Sequence, residues 1–210
     1  MGLHPRALKV SGYMDRPFSQ ACENNRGPIL EVLEPLIRDK TCALEIGSGT
    51  GQHAVWFAQQ LPQLVWQTSD LPQNHAGIRL WLEHQPSPNL RPPIALDMLA
   101  DSWPDANYDV IYSANTAHIM PWQGVINMFA QVGLHLLPGG LFCLYGPMGY
   151  AGVIAPQSNI QFDQHLRQQA AHMGIRDFHA INRLALDADL VLLDDNAMPA
   201  NNRLLVWEKA

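Results

Sequence analysis

Apolar positions recur along this chain in two rhythms. From Asn24 onward, Ile29, Leu30, Val32, Leu33, Leu36 and Ile37 fall at helical spacing. That predicts a helix capped by Asn24 or Asn25, with Pro28 in its first turn and Pro35 distorting or dividing it. Thr41–Ile46 is a short apolar run and reads as a buried strand. The alternation then continues with a helix over Gln52–Gln60 that Pro62 ends, and a strand over Leu64–Ser69 closing on Asp70. A helix carrying Ile78, Leu80, Trp81 and Leu82 ends near Pro86, and a short strand over Pro93–Leu96 closes on Asp97. Tyr108–Ser113 is a fourth strand, Val125–Leu137 a helix ended by Pro138-Gly139-Gly140, and Leu141–Tyr145 a fifth strand. Strands and helices in this rhythm predict parallel βαβ units with helices on both faces, a doubly wound α/β sheet.

The last third is built differently. Between the fifth strand and the next, near Leu190–Leu193, there are about twice the residues a crossover needs. Part is glycine- and proline-rich (Gly146–Pro156), part a polar helix (Ser158–Ala171), and a further helix spans Asp177–Ala188. Residues 146–176 are read as an inserted lid or substrate wall. Leu204–Trp207 is the final, antiparallel strand, reached through a loop holding Asn201 and Asn202. The expected sheet has seven mostly parallel strands in one domain over 1–210. Residues 1–18 form an arm, and 1–40 the arm with its helix.

Composition narrows the function. Of 210 residues, 47% are hydrophobic and 15% charged, so a sizeable core is available. A formal charge of −6 argues against a nucleic-acid partner. Cys22, Cys42 and Cys143 are far apart, and no two are spaced like zinc ligands. They suit a reducing compartment, no run reaches bilayer length, and a cytoplasmic protein without a metal is expected.

The candidate chemistry centres on Leu44-Glu45-Ile46-Gly47-Ser48-Gly49-Thr50-Gly51-Gln52-His53. Its three alternating glycines permit positive φ and close approach of a ligand to main-chain atoms at a helix N-terminus. A phosphate-binding P-loop requires Lys and a hydroxyl residue where Gln52-His53 stand. A dinucleotide fingerprint requires its third glycine at position 52, whereas here it arrives at Gly51. That weakens a nicotinamide or flavin reading without removing it.

An acid followed by Gly-x-Gly-x-Gly resembles motif I of class I S-adenosylmethionine-dependent methyltransferases. Four further segments are Pro17–Asn25, Ser113–Met120, Leu144–Pro147 and Met198–Arg203. They resemble the methyltransferase-like proteins of domain of unknown function 938, over a match from Pro17 to the C-terminus. The resemblance implies a Rossmann-like methyltransferase fold and S-adenosyl-L-methionine as cofactor, and it brings no substrate. Cofactor contacts are implied for Glu45, Gly47, Ser48, Gly49, Thr50 and Gly51 around the amino acid end. Asp70 and Leu71 would serve the ribose, Asp97 and Met98 the adenine, and Asn115 either ligand.

Asn115 and His118 follow the fourth strand at the edge where open α/β sheets place reacting ligands. His118 is the first candidate base, with Tyr145 and then Tyr150 behind it; a packing or capping role is the competing reading for His118. His53 reads as a helix-surface or turn-supporting residue. Asn24, Asn25, His118, Tyr145, Tyr150 and Asn159 are the expected substrate-pocket residues. Asp163 and Arg167 border it or form a surface ion pair. The expected reaction is in-line methyl transfer to a small molecule. An NAD(P)-dependent oxidoreductase and a non-catalytic S-adenosylmethionine-binding protein are the alternatives.

Overall fold

The computed structural model describes residues 16–100 and 103–210. Helix α1 (Gln20–Ile37) leads into β1 (Cys42–Ile46), α2 (Gln52–Gln60), β2 (Val65–Asp70), α3 (His75–His84) and β3 (Leu90–Ala95). Then come β4 (Tyr108–Ala114), α4 (Trp122–His135), β5 (Leu136–Gly146), β6 (Met148–Gly149), α5 (Gln157–Gln169) and β7 (Arg176–Asp177). The chain closes with α6 (Phe178–Asp187), β8 (Leu190–Met198) and β9 (Asn202–Lys209). Seven strands form one sheet in the order β3-β2-β1-β4-β5-β9-β8. The pairs within β3-β2-β1-β4-β5 are parallel, and β9 runs antiparallel to both its neighbours. This is the seven-stranded, mostly parallel sheet that the alternating pattern predicts.

Both faces of the central strands β1, β4 and β5 are covered, which is why these read as short apolar runs. Ala43, Val110, Tyr112, Cys143 and Val206 point into one core with Ile29, Leu33 and Ile37 of α1 and Phe57 of α2. Their strand neighbours Leu44, Ile111, Phe142, Leu144 and Trp207 point into the other core with Phe129 of α4 and Ile181 of α6.

Several boundaries move, each for a local reason. Helix α1 starts at Gln20, and its cap is Ser19, whose Oγ accepts from the Cys22 amide at 3.3 Å. Asn24 and Asn25 are therefore helical, and Pro28 and Pro35 are interior. The helix is not divided; Ile29, Leu33 and Ile37 bury one stripe of it, and that packing outweighs the missing donors. Strand β3 runs through Pro92 and Pro93, which an edge strand tolerates because one side needs no donors. Pro138-Gly139-Gly140 lies within β5 as an irregularity between the pairs Tyr108↔Leu136 and Val110↔Leu141. The small parallel pair β6–β7 was not expected from the pattern.

Of the predicted arm, residues 1–15 lie outside the described residues. Its end is pinned across α3, where the Trp81 indole donates to the Pro17 carbonyl at 2.6 Å and Arg16 lies over the ring.

The loop after α2 is clamped from β3's end. The buried Asn89 amide nitrogen reaches the carbonyls of Ala58, Leu61 and Leu64 at 2.8–3.0 Å. Those carbonyls lie past the last intrahelical donors. Asn89→Ala is expected to cost about 2–3 kcal/mol in urea unfolding, because buried acceptors lose their partner.

Candidate functional site

Strand order reverses between β1 and β4, and ligands in open α/β sheets bind at the carboxyl edge of such a reversal. A cavity of about 1010 Å³ opens there. One side of it is the glycine turn, where Gly47, Gly49 and Gly51 take φ of +71°, +57° and +90°. A Cβ on Gly47 would meet Thr116 Cγ2 at 2.6 Å, and one on Gly51 would press the Ile78 backbone at 3.2 Å. At Gly49 nothing lies within 4 Å of that position, and the residue lines the cavity. Two glycines thus serve packing, and the third leaves main-chain atoms open to a ligand.

Carboxylates brace the turn. Glu45 is buried; its Oε2 accepts from the Ser48 hydroxyl at 2.8 Å and the Trp66 indole at 3.1 Å. Burial is the main cause of a Glu45 pKa raised to about 7. Asp70 Oδ2 accepts from the Gly49 amide at 2.7 Å, while Oδ1 accepts from the Leu71 amide and the Asn74 side chain, each at 2.7 Å. A carboxylate offers roughly four lone-pair directions, so Asp70 both grips the turn and keeps capacity for a ligand hydroxyl. Asp97 is exposed beyond β3, with its Oδ1 bound to the Leu99 amide at 2.9 Å.

Helix α1 is tied onto this turn through Gln52, which is 0% exposed. Its Oε1 accepts from the Ser19 amide at 2.6 Å and the Thr50 hydroxyl at 3.0 Å, and its Nε2 donates to Glu23 at 2.6 Å. His53 lies beneath, buried rather than on the helix surface. Its Nε2 pairs with Asn25 Oδ1 at 2.7 Å and its Nδ1 with the Tyr112 hydroxyl at 3.3 Å. Burial lowers its pKa to about 4, so the ring is neutral and supports α1 and β4.

The other side of the cavity follows β4 and β5. Asn115 takes φ of +57°, and its amide donates to the Tyr145 carbonyl at 2.9 Å. His118 is buried, edge-on to Phe162 with centroids 5.4 Å apart. Its loop is stapled by Arg176, which donates to the carbonyls of Ala117 at 2.8 Å and Met120 at 2.7 Å. Burial first, and Arg176 second, lower the His118 pKa to about 4. The Tyr145 hydroxyl is flanked by Asn25 and Asn202, and burial raises its pKa. Asn159 donates to the carbonyls of Ala155 at 3.2 Å and Asn201 at 3.1 Å, joining α5 to the turn before β9.

The cavity brings together Glu45, Gly47, Ser48, Gly49 and Thr50 with Asp70, Leu71, Asp97, Met98 and Asn115. It also gathers Asn24, Asn25, His118, Tyr145 and Asn159. Gly51 stands behind the turn and is not in the lining. Tyr150 is not in it either; its hydroxyl donates to Asp195 at 2.8 Å and its ring stacks on Phe178. Asp163 and Arg167 neither border the cavity nor form a simple surface pair. Asp163 is buried, holding Arg167 Nε at 2.7 Å and the Ile175 amide at 2.8 Å. Met120, Phe162, Met173 and the Pro199–Ala200 turn line the cavity and escaped notice. Met120 and the Pro199–Ala200 turn had a signal, as parts of the Ser113–Met120 and Met198–Arg203 segments; Phe162 and Met173 had none.

Solved structures share this fold. An O-methyltransferase family protein from Burkholderia thailandensis matches with a TM-score of 0.79 at 15% identity, over 88% of this chain and 56% of its own. A family 2 O-methyltransferase from Planctomyces limnophilus, in complex with apigenin, matches at 0.72 and 17%, over 88% and 62%. Human N-acetylserotonin methyltransferase, in complex with SAM, matches at 0.68 and 14%, over 90% and 58%. The chain thus spans 56–62% of the length of these three structures, and at such identities the likeness is one of fold. A family model described as "Protein of unknown function (DUF938)" matches residues 16–209.

The shifts on Glu45 and the histidines pull stability in opposite directions with pH. Glu45 titrates above its ordinary 4.5, so its contribution is whole below pH 4.5 and is lost as pH rises through about 7. His53 and His118 titrate below 6.5; theirs is whole above that value and is lost as pH falls toward about 4. Glu45→Gln removes the first effect alone. Its melting temperature, relative to the unchanged ligand-free protein, is expected to be higher at pH 8 than at pH 5.

Proposed function

This chain belongs to the family described as protein of unknown function DUF938, and on that footing we propose that it transfers a methyl group from S-adenosylmethionine to a small molecule. The observation that carries the reading is the cavity half around Gly49. An open glycine face there sits among acids at the ends of three successive strands, β1, β2 and β3. The residues present fit the cofactor's parts. Glu45 and the turn amides suit its amino acid end, Asp70 with Leu71 its ribose, and Asp97 with Met98 its adenine. Asn115, at the start of the β4 loop, reaches either ligand.

Bound there, S-adenosylmethionine would supply a methyl group already activated by the sulfonium charge. What remains for the chain is alignment and exclusion of water. Helix α1, held down by Gln52, covers one side, and residues 146–176 with the Pro199–Asn201 turn wall the other. His118 is the candidate to take a proton from the acceptor. With a pKa of about 4 it is neutral and unprotonated at physiological pH, and it is a weak base, so alignment carries most of the rate. Tyr145 is the second candidate, and its raised pKa makes it a donor and orienting group rather than a base.

Calorimetric titration with S-adenosylmethionine and its demethylated product tests the reading. Micromolar binding is expected, with Asp70→Ala abolishing it while the fold is retained. Saturable binding of NAD(P) in place of the methyl donor, or no binding at millimolar concentration, would overturn it.

His118→Ala is expected to lower turnover by roughly tenfold to a hundredfold, at the low end of general-base effects, and to leave cofactor affinity unchanged. The pH–kcat profile of the unaltered protein is expected to lack an ionisation near 6.5, since His118 titrates far below it. Unchanged turnover in the variant would remove His118 from the chemistry.

A further inference from the structure

The two halves of the cavity differ in chemistry. Its carboxylates Glu45, Asp70 and Asp97 all stand at the ends of β1–β3. On the β4–β5 side the polar lining includes Asn25, Asn115, His118, Tyr145, Asn159 and Asn202, with the hydroxyls of Thr116 and Ser158: amides, an imidazole, a phenol and two alcohols. Each is uncharged at neutral pH; burial keeps the imidazole unprotonated and the phenol protonated. The Arg176 guanidinium beside His118 is turned to the carbonyls of Ala117, Met120 and His172 and is not part of the lining.

These polar groups are also pre-oriented. Asn25 Oδ1 faces His53 Nε2 at 2.7 Å and can only accept, so in the neutral ring that nitrogen carries the hydrogen and Nδ1 is left to accept from the Tyr112 hydroxyl. Asn25 therefore turns its amide N–H groups toward the Tyr145 hydroxyl at the cavity edge. Asn159 and Asn202 use their N–H groups on carbonyls of Ala155, Asn201 and Pro199, leaving their own side-chain oxygens uncommitted among the described residues. One donor and two acceptors at one edge suit a hydroxyl.

The rest of the wall is apolar and partly open. Ile119 and Phe162 are 43% and 38% exposed while lining the cavity on this side, with Met120 and Met173 also in the lining. Large exposed apolar side chains leading into a concave cleft mark a ligand surface. Methionine sulfurs and an aromatic edge favour a flat, polarisable ring. An anion would give up its hydration here and meet no cationic side chain among the described lining residues, and the lining's carboxylates all lie on the opposite, β1–β3 side.

We propose that the β4–β5 half of the cavity takes an uncharged, flat aromatic compound bearing a hydroxyl, its ring against Phe162 and the methionines and its hydroxyl at the Asn25–Tyr145–Asn159 edge. It rests on the preceding reading only in making this compound the methyl acceptor; the binding itself stands on the cavity.

The probes are 1-naphthol, 1-naphthoate and 1-naphthyl phosphate, titrated calorimetrically into the full chain with and without S-adenosylhomocysteine. Naphthol is expected to bind, and both anions to bind about tenfold more weakly or worse. Phe162→Ala, at a partly exposed position, is expected to weaken naphthol roughly fivefold to tenfold and to leave S-adenosylhomocysteine affinity unchanged. Ile119→Lys adds a cation at the rim and is expected to narrow the gap between naphthoate and naphthol. Anions binding as well as naphthol, no naphthol binding under either condition, or indifference to Phe162→Ala would each overturn the proposal. Failure of S-adenosylhomocysteine alone to bind would sink the methyl-donor reading and leave this one to the naphthol titrations.

Discussion

The side-chain amide of Gln52 ties helix α1 to the glycine turn. Its carbonyl oxygen takes the first free amide of the α1 cap region and the Thr50 hydroxyl, and its nitrogen reaches Glu23. With no exposure to solvent, each of these bonds replaces one that water would otherwise supply, so losing a partner leaves a buried polar group bare. Helix α1 is thereby placed over the glycine turn, which brings Asn25 above His53 and into the cavity. Glu23 in turn pairs with Arg26, which lies over the Trp56 ring of α2. The roof of the site therefore depends on contacts made by the turn itself.

The fold is a seven-stranded, mostly parallel sheet of the kind found in the solved O-methyltransferases it resembles, and the cavity lies where strand order reverses. The two cavity halves impose different demands. One gathers carboxylates around an open main chain; the other gathers uncharged groups whose hydrogen-bond directions are set from behind. A buried neutral imidazole at position 53 is what fixes the Asn25 amide, and a guanidinium at 176 is what fixes the 117–120 loop. The guanidinium stands outside the lining and the imidazole is buried at its base, yet together they determine what the lining can recognise.

Much of the architecture was legible because strand and helix periods differ and because the central strands of this sheet are buried on both faces. The bounds of α2 agree with the sequence reading to the residue, since a glycine turn precedes it and Pro62 follows. Local rules failed where tertiary packing overruled them. Two interior prolines in α1 and a double proline in β3 survive because one element is packed along a full stripe and the other is a sheet edge. Among the cavity-lining positions that follow strands, Asn115 and His118 were readable from topology, whereas Asp70 and Asp97 were pointed to by the family resemblance. Tyr150 was misplaced because nearness in sequence to β5 does not fix side-chain direction after a turn; it points at Asp195 instead. Phe162 and Met173 were invisible because no pattern says which face of an inserted helix, or of the loop beyond it, closes a cavity.

The Trp66 indole shares its hydrogen with the same Glu45 oxygen that takes the Ser48 hydroxyl, and all three groups lie out of reach of bulk water. A carboxyl with a pKa of about 7 changes charge in the neutral range, and an indole bonded directly to it feels that charge in its excited state. The protein thus carries an intrinsic fluorophore wired to the floor of its own glycine turn. Whatever enters the turn and alters the charge there writes a signal into the ultraviolet emission of a residue that no ligand touches.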